Sequence, residues 1–421
     1  MDILDTIIQS QKSGKPLGIT SICSAHPLVL EAAFRHALIT GKAVLIEATS
    51  NQANQFGGYT GMRPADFVGF VHGIAKQVGF PIERLLLGGD HLGPLPFSSE
   101  PADTAMKKAK EMVRAFAADG FGKIHLDCSV SCSDDRDLGP EIMAQRAAEL
   151  AAEVEKTALS EGFTAPRYVI GTEVPAAGGA KAGEEHLQVT HPEDAARTIE
   201  LTRDAFLAKG LHSAWERVIA LVVQPGVEFG HDAIHVYDRP AARDLVRYIE
   251  SVPNLVYEAH STDYQSRSAL RELVEDHFAI LKVGPGLTFA MREAIFALAE
   301  IEDQLCENPS GIRSLMETAM LANSVHWKKH YQGSEREQKL NRQFSFSDRS
   351  RYYWNVPEVR QGLDRLLTNL GKTPIPLTLL SQYFPCEYAE IREESLVNDP
   401  RELILRRITR VLEDYDAACW R

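Results

Sequence analysis

The sequence predicts an α/β fold: a (β/α)8 barrel carrying an added, mainly helical C-terminal region. Three observations lead to it. A short apolar segment, a polar or glycine-rich loop and an amphipathic stretch recur eight times before residue 310, and eight such units close a parallel sheet on itself. The apolar segments are continuous, as in Leu85-Leu86-Leu87 and 218–223, which suits strands buried on both faces. Acids, imidazoles and a lysine stand at or just past the ends of these segments. In a barrel all strand C-termini open onto one mouth, where barrel enzymes keep their chemistry.

Strands are expected at 18–22, 43–46, 85–88, 123–126, 168–171, 218–223, 255–257 and 278–283. Pro27, Pro64, Pro101, Pro140, Pro192 and Pro240 stand near helix starts, where a missing N–H costs nothing. Thr190-His191-Pro192-Glu193 predicts a capping box with the proline just inside it. Apolar residues three and four apart predict helices over 102–118, 141–160 and 192–209. The barrel is assigned to 1–310 and the helical region, packed on it, to 311–421. In that region 334–348 is highly polar and 349–354 aromatic and basic. Its pattern carries no recognisable chemistry, and Tyr352, Tyr353 and Trp354 are expected to pack in the core rather than form an interface.

The chain has 45 basic and 58 acidic residues, a net charge of −13. That argues against nucleic acid or an anionic membrane as partner, but leaves room for a sugar phosphate held by a local pocket. The six cysteines form no CxxC pair, so structural zinc and a disulfide framework are not expected. No run approaches the roughly 18 apolar residues of a membrane span, and 1–15 lacks the apolar core of a signal peptide. A cytoplasmic location follows as the expectation.

The strand ends carry the candidate chemistry. Strand three closes on Gly88-Gly89-Asp90-His91, where two glycines are expected to allow a tight bend. Asp90 is a candidate acid or base and His91 a candidate metal ligand. After strand seven, Glu258 and His260 are two apart and project to the same side, Glu258 as a proton carrier and His260 as a ligand. Glu173, after strand five, completes a possible metal set of His91, Glu173 and His260, with zinc the best match; a hydrogen-bonded polar rim without metal is the alternative. Ser261, Asp263, Lys282 and Gly284 lie on the loops after strands seven and eight, the recurrent phosphate position of barrels. An imine role for Lys282 is a lesser option. Asn51 and Gln52, in an amide- and glycine-rich loop that can move as a lid, suit sugar hydroxyls. Cys128 is expected to be a packed thiol. No phosphate-binding GxxxxGK[ST] or dinucleotide GxGxxG motif occurs, so no nucleotide is expected.

At these stretches the chain resembles the GatZ/KbaZ family of tagatose-1,6-bisphosphate aldolase subunits, related to class II aldolases. The likeness spans nearly the whole chain. It is carried by Glu47-Ala48-Thr49-Ser50-Asn51-Gln52, Gly57-Gly58-Tyr59-Thr60-Gly61-Met62, Gly89-Asp90-His91-Leu92-Gly93-Pro94, Gly171-Thr172-Glu173-Val174-Pro175, Val223-Gln224-Pro225-Gly226-Val227-Glu228-Phe229, Tyr257-Glu258-Ala259-His260-Ser261-Thr262-Asp263-Tyr264 and Leu281-Lys282-Val283-Gly284-Pro285. The resemblance implies a (β/α)8 fold, a role in galactitol or N-acetylgalactosamine catabolism, and a heteromer with a catalytic class II aldolase subunit that this chain stabilises and activates. Asp90-His91 matches the acid and zinc ligand of class II aldolases, and His260 matches a later ligand. Glu173 and Gln224 stand where those enzymes have histidines at strands five and six. This departure favours an auxiliary role over a metal-dependent sugar-phosphate aldolase or epimerase in its own right. The label tagatose-6-phosphate kinase, also used in the family, finds no nucleotide motif here.

Overall fold

Eight parallel strands close into a barrel in the computed structural model, which describes residues 3–171 and 187–420. They are β1 (Ile19–Ile22), β2 (Val44–Thr49), β3 (Leu85–Leu92), β4 (Lys123–Leu126), β5 (Arg167–Gly171), β6 (Val218–Val222), β7 (Val256–Ala259) and β8 (Phe278–Val283). Each pairs with its sequence neighbour, and β8 returns to β1 with Ser21 opposite Lys282. The predicted barrel is present, with strand ends displaced by at most four residues.

The largest displacement has functional weight. Pairing between β2 and β3 continues through Glu47–Gly88 to Thr49–Asp90, so Asp90 and His91 belong to β3 rather than to the loop beyond it. The bend falls at His91, whose φ is +49°. Gly88 and Gly89 are not the hinge; they make room. A Cβ on Gly88 would lie 2.8 Å from the Glu47 side chain, and one on Gly89 2.7 Å from Phe116 and Leu92. Gly93 is required more strictly, because its Cβ would fall 1.7 Å from the Asp127 carbonyl oxygen.

Pro27, Pro64, Pro140 and Pro192 each begin a helix, and Pro101 immediately precedes one. The capping box at 190–193 does not form. His191 is the N-cap and makes no side-chain cap, while Thr190 Oγ1 accepts from the Gln224 N–H at 2.8 Å. A small antiparallel ribbon, Glu228–Phe229 with Ile234–His235, follows β6 and was not expected.

The two barrel ends are closed differently. At the base, helix Ile3–Lys12 inserts Leu4, Ile7 and Ile8 among Ile19, Leu45, Val169, Ile219, Val256 and Ile280. The C-terminal region is helical, as expected, and its last helix, Pro400–Cys419, joins the outer shell. It packs on helices Pro27–Thr40, Arg267–Glu275 and Pro285–Leu305 and on β1. The Gly18 N–H donates to the Cys419 carbonyl at 2.9 Å. One hydrophobic core runs from β1 to Cys419. Among the described residues no helix is long and apolar enough to cross a membrane.

Candidate functional site

Side chains pointing inward near the mouth form a buried ionic lattice above the apolar base. Lys123 Nζ on β4 lies 2.5 Å from Glu47 Oε1 on β2 and 2.7 Å from Glu258 Oε2 on β7. Lys282 Nζ on β8 meets Glu47 Oε2 at 3.0 Å and also contacts Asp90 Oδ1. Isolated buried charges of this kind are costly, so the acids and ammonium groups alternate. Burial opposes ionisation of Glu258, yet Lys123, Lys282 and His260 outweigh it and hold the carboxyl well below its ordinary range. Burial likewise opposes the Lys282 charge, but Asp90, Cys23, Glu47 and Glu258 hold that ammonium well above its ordinary value. Held as an ammonium against Glu47 and Asp90, Lys282 is a poor nucleophile, which argues against the imine option.

Three imidazoles converge over this lattice. His91 on β3, His125 on β4 and His260 just past β7 have ring centroids 4.9–5.3 Å apart. Ligand atoms of Asp90, His91, His125 and His260 all lie within 4.8 Å of one another. His91 Nδ1 is 2.7 Å from Asp127 Oδ2. The carboxylate can only accept, which leaves Nε2 as the nitrogen able to bind a metal, 3.6 Å from Asp90 Oδ2. Glu258 Oε1 accepts from His260 Nε2 at 2.9 Å, making Nδ1 the nitrogen able to ligate there. His125 Nε2 meets the Gly171 carbonyl at 3.0 Å, and Nδ1 meets Asp90 Oδ1 at 2.9 Å. Three imidazoles and one carboxylate fit a borderline divalent cation.

The surroundings of Asp90 favour its carboxylate form. Burial works against its charge, but His91, Lys282, His125 and His260 hold it well below the carboxylate range, which makes it a weak base and a good ligand. Burial lowers His91, but Asp90 and Asp127 overcome it and raise the imidazole above its ordinary value.

The other expected site residues fall into distinct places. Glu258 has no solvent exposure and sits behind His260, so it acts on the cavity by orienting that ring. Asp263 Oδ1 accepts from the Gly284 and Gly286 N–H groups at 3.0 and 2.6 Å. The backbone N–H groups after β8, part of the expected phosphate position, are therefore capped by the chain's own carboxylate. Gln52 is turned inward, donating to the Cys23 carbonyl and accepting from the Thr49 N–H. Asn51 is exposed and lines the cavity, as does Ser261, whose φ is +52°. Gln224 caps its own turn through Gly226 and Val227 and faces a separate pocket. Cys128 is buried, and burial raises its thiol well above the ordinary range. Glu173 lies outside the described residues.

These groups open onto a cavity of about 700 Å³ lined by Asp90, His91, Asp127, His260 and Lys282. Part of its wall comes from an unexpected source: His326, Lys329, His330, Arg349, Arg351 and Tyr352 of the C-terminal region. Tyr353 and Trp354 are buried as expected, whereas Tyr352 faces the cavity, stacked on His326 with ring centroids 4.5 Å apart.

Residues 4–420 match the family described as D-tagatose-1,6-bisphosphate aldolase subunit GatZ/KbaZ-like. The chain belongs to the GatZ/KbaZ-like family. It is 52% identical to the D-tagatose-1,6-bisphosphate aldolase subunit GatZ of Salmonella dublin over 98% of each chain. The GatZ subunit of Klebsiella pneumoniae subsp. pneumoniae is equally similar, at 52% identity over 98% of each chain. Among solved structures, a probable tagatose 6 phosphate kinase from Sinorhizobium meliloti 1021 superposes with a TM-score of 0.88 at 46% identity, covering 96% of this chain and all of that one. The GatZ/KbaZ-like membership thus extends through the C-terminal region that completes the cavity.

Proposed function

We propose that this chain is the GatZ-type subunit of a D-tagatose-1,6-bisphosphate aldolase in galactitol or N-acetylgalactosamine catabolism. It works by associating with a catalytic class II aldolase subunit and maintaining that partner's stability and turnover. The observation that carries this reading is 52% identity across 98% of both chains with relatives bearing that name. The departure at β5 and β6 from the class II histidine pattern supports an auxiliary role over independent cleavage. The test is direct. A class II aldolase chain is assayed on D-tagatose 1,6-bisphosphate, and its activity is followed over hours, with and without this protein. Higher turnover and slower inactivation in its presence are expected; identical rates and half-lives would reject the reading.

The imidazole cluster favours one second reading, a metal-dependent reaction on a sugar phosphate by this chain alone. His91, His125, His260 and Asp90 would hold the ion, and their nitrogen-rich donor set suits zinc. Such an ion polarises a carbonyl. Asp127 and Glu258 orient His91 and His260, Lys123 and Lys282 pair with Glu47, Glu258 and Asp90, and Asn51 and Ser261 stand where sugar hydroxyls would lie. Stoichiometric zinc in the purified chain, together with partner-independent cleavage or epimerisation, would favour this reading. ATP consumption dependent on tagatose 6-phosphate would favour the kinase label instead.

A further inference from the structure

The C-terminal part of the cavity wall is chemically unlike the floor. Acids on the floor have partners within the barrel: Asp90 contacts Lys282 and His125, and Asp127 contacts His91. The wall instead gathers Lys329, Arg349 and Arg351 with His326 and His330, on a chain whose net charge is −13. Arg351 donates to the Asp348 main-chain carbonyl and to Tyr352 Oη (3.0 Å), neither of them a carboxylate. The Asp348 carboxylate is instead bound to Arg292 and the Ser350 hydroxyl. Arg349 is buried and donates to the His326 carbonyl at 3.1 Å.

The titration of these groups shows both crowding and its partial relief: burial opposes the Arg351 charge, but Tyr352, Tyr59 and Asp348 hold that guanidinium above its ordinary value. Burial and Arg351 push Arg349 down to about 10. Burial, Arg349 and Lys329 push His330 down to about 4. Burial opposes ionisation of the Tyr352 phenol, yet Arg351 and Arg349 draw it below its ordinary value. Clustered cations in a concave, partly dry site attract an anion strongly, and guanidinium forks match phosphate oxygens. The ordinary phosphate position of a barrel, the helix N-terminus after β8, already holds Asp263.

We propose that Lys329, Arg349 and Arg351 bind the phosphate of a phosphorylated sugar whose hydroxyl-bearing end extends along the cavity toward His91 and His260. The inference rests on the sugar-phosphate aldolase reading for the choice of sugar; the anion site itself needs neither partner nor metal. Tyr59 and His326 pack on the Tyr352 ring and keep it beside Arg351.

The experiment is calorimetric titration of the full chain, without partner, using inorganic phosphate, D-tagatose 1,6-bisphosphate and D-tagatose. Saturable binding of both phosphorylated probes is expected. Lys329→Gln, at an exposed position, and Arg351→Gln should each weaken it about tenfold or more, with Arg351→Lys retaining part of the affinity. Binding of unphosphorylated D-tagatose, where measurable, should be unchanged in every variant. The proposal is overturned if the native protein shows no saturable binding of either phosphorylated probe, or if folded Lys329→Gln protein binds them as the native protein does. Failure of the subunit reading would appear elsewhere, as unchanged turnover of the class II partner, so the two can fail separately.

Discussion

The two ends of this barrel are built from opposite materials. At the base, helix Ile3–Lys12 plugs the cylinder with Leu4, Ile7 and Ile8 against aliphatic side chains of the strands. Near the mouth the same strands turn Glu47, Lys123, Asp90, Glu258 and Lys282 inward and bury them. Apolar burial stabilises without directional demands, at about 25 cal/mol per Å². A buried ionic lattice holds its shape only while every charge keeps its partners, and its net contribution to stability is small. The base thus adds non-directional apolar burial to the larger core between strands and helices, while the mouth depends on a specific arrangement that holds three imidazoles in register.

Breaking the lattice should produce the largest effect. Lys123→Met leaves Glu47 and Glu258 without their shared cation, and should cost about 3–5 kcal/mol, read as a lowered urea midpoint. A loss under ~1 kcal/mol would mean the acids simply take up protons. Ile7→Ala at the base should cost about 2–4 kcal/mol and leave ligand binding at the mouth unchanged; altered binding would show that the ends are coupled. Asp127→Asn removes the carboxylate that orients His91. If the cluster holds zinc, as the second reading proposes, the substitution should weaken that binding by about 10–100-fold, measured by chelator competition, and equal affinity would remove the case for His91 Nε2 as a ligand.

The smallest effect concerns pH. Burial pushes Asp263 up to about 6 against the pull of the Gly286 and Gly284 N–H groups, compared with about 3.9 for an unfolded aspartate. The native state therefore binds this proton more tightly than the unfolded chain, so its contribution is largest at low pH. Stability should fall as pH rises from about 4 to about 6 and then level off with respect to this group. Asp263→Asn keeps an acceptor oxygen and removes the titration. Its stability relative to the native protein should improve across that window, and parallel pH curves would rule the assignment out.

How much of this was legible in the sequence follows from how local each signal is. Apolar runs between loops located all eight strands, and residues at strand ends located Asp90, His91 and His260. His125 and Lys123 escaped because attention to strand ends passes over positions inside a strand. The signal was nonetheless present: Lys123, His125 and Asp127 alternate with Ile124 and Leu126, a period of two that turns three ionisable groups to one face. The pairing of Asp263 with Gly284 is a contact between loops, and strand-end logic supplied both residues while missing that they satisfy each other. Residues 325–352 lie outside the repeating unit altogether. Their place over the mouth depends on the tertiary path of the C-terminal region, which no local periodicity encodes.

That path has a consequence for how such a protein diversifies. The imidazole floor and the basic wall are written in separate stretches of chain, so either can drift without rewriting the other. Exchanging 325–352 among relatives would alter which molecules are admitted while the barrel beneath stays intact, as a lock keeps its bolt when the keyway is recut.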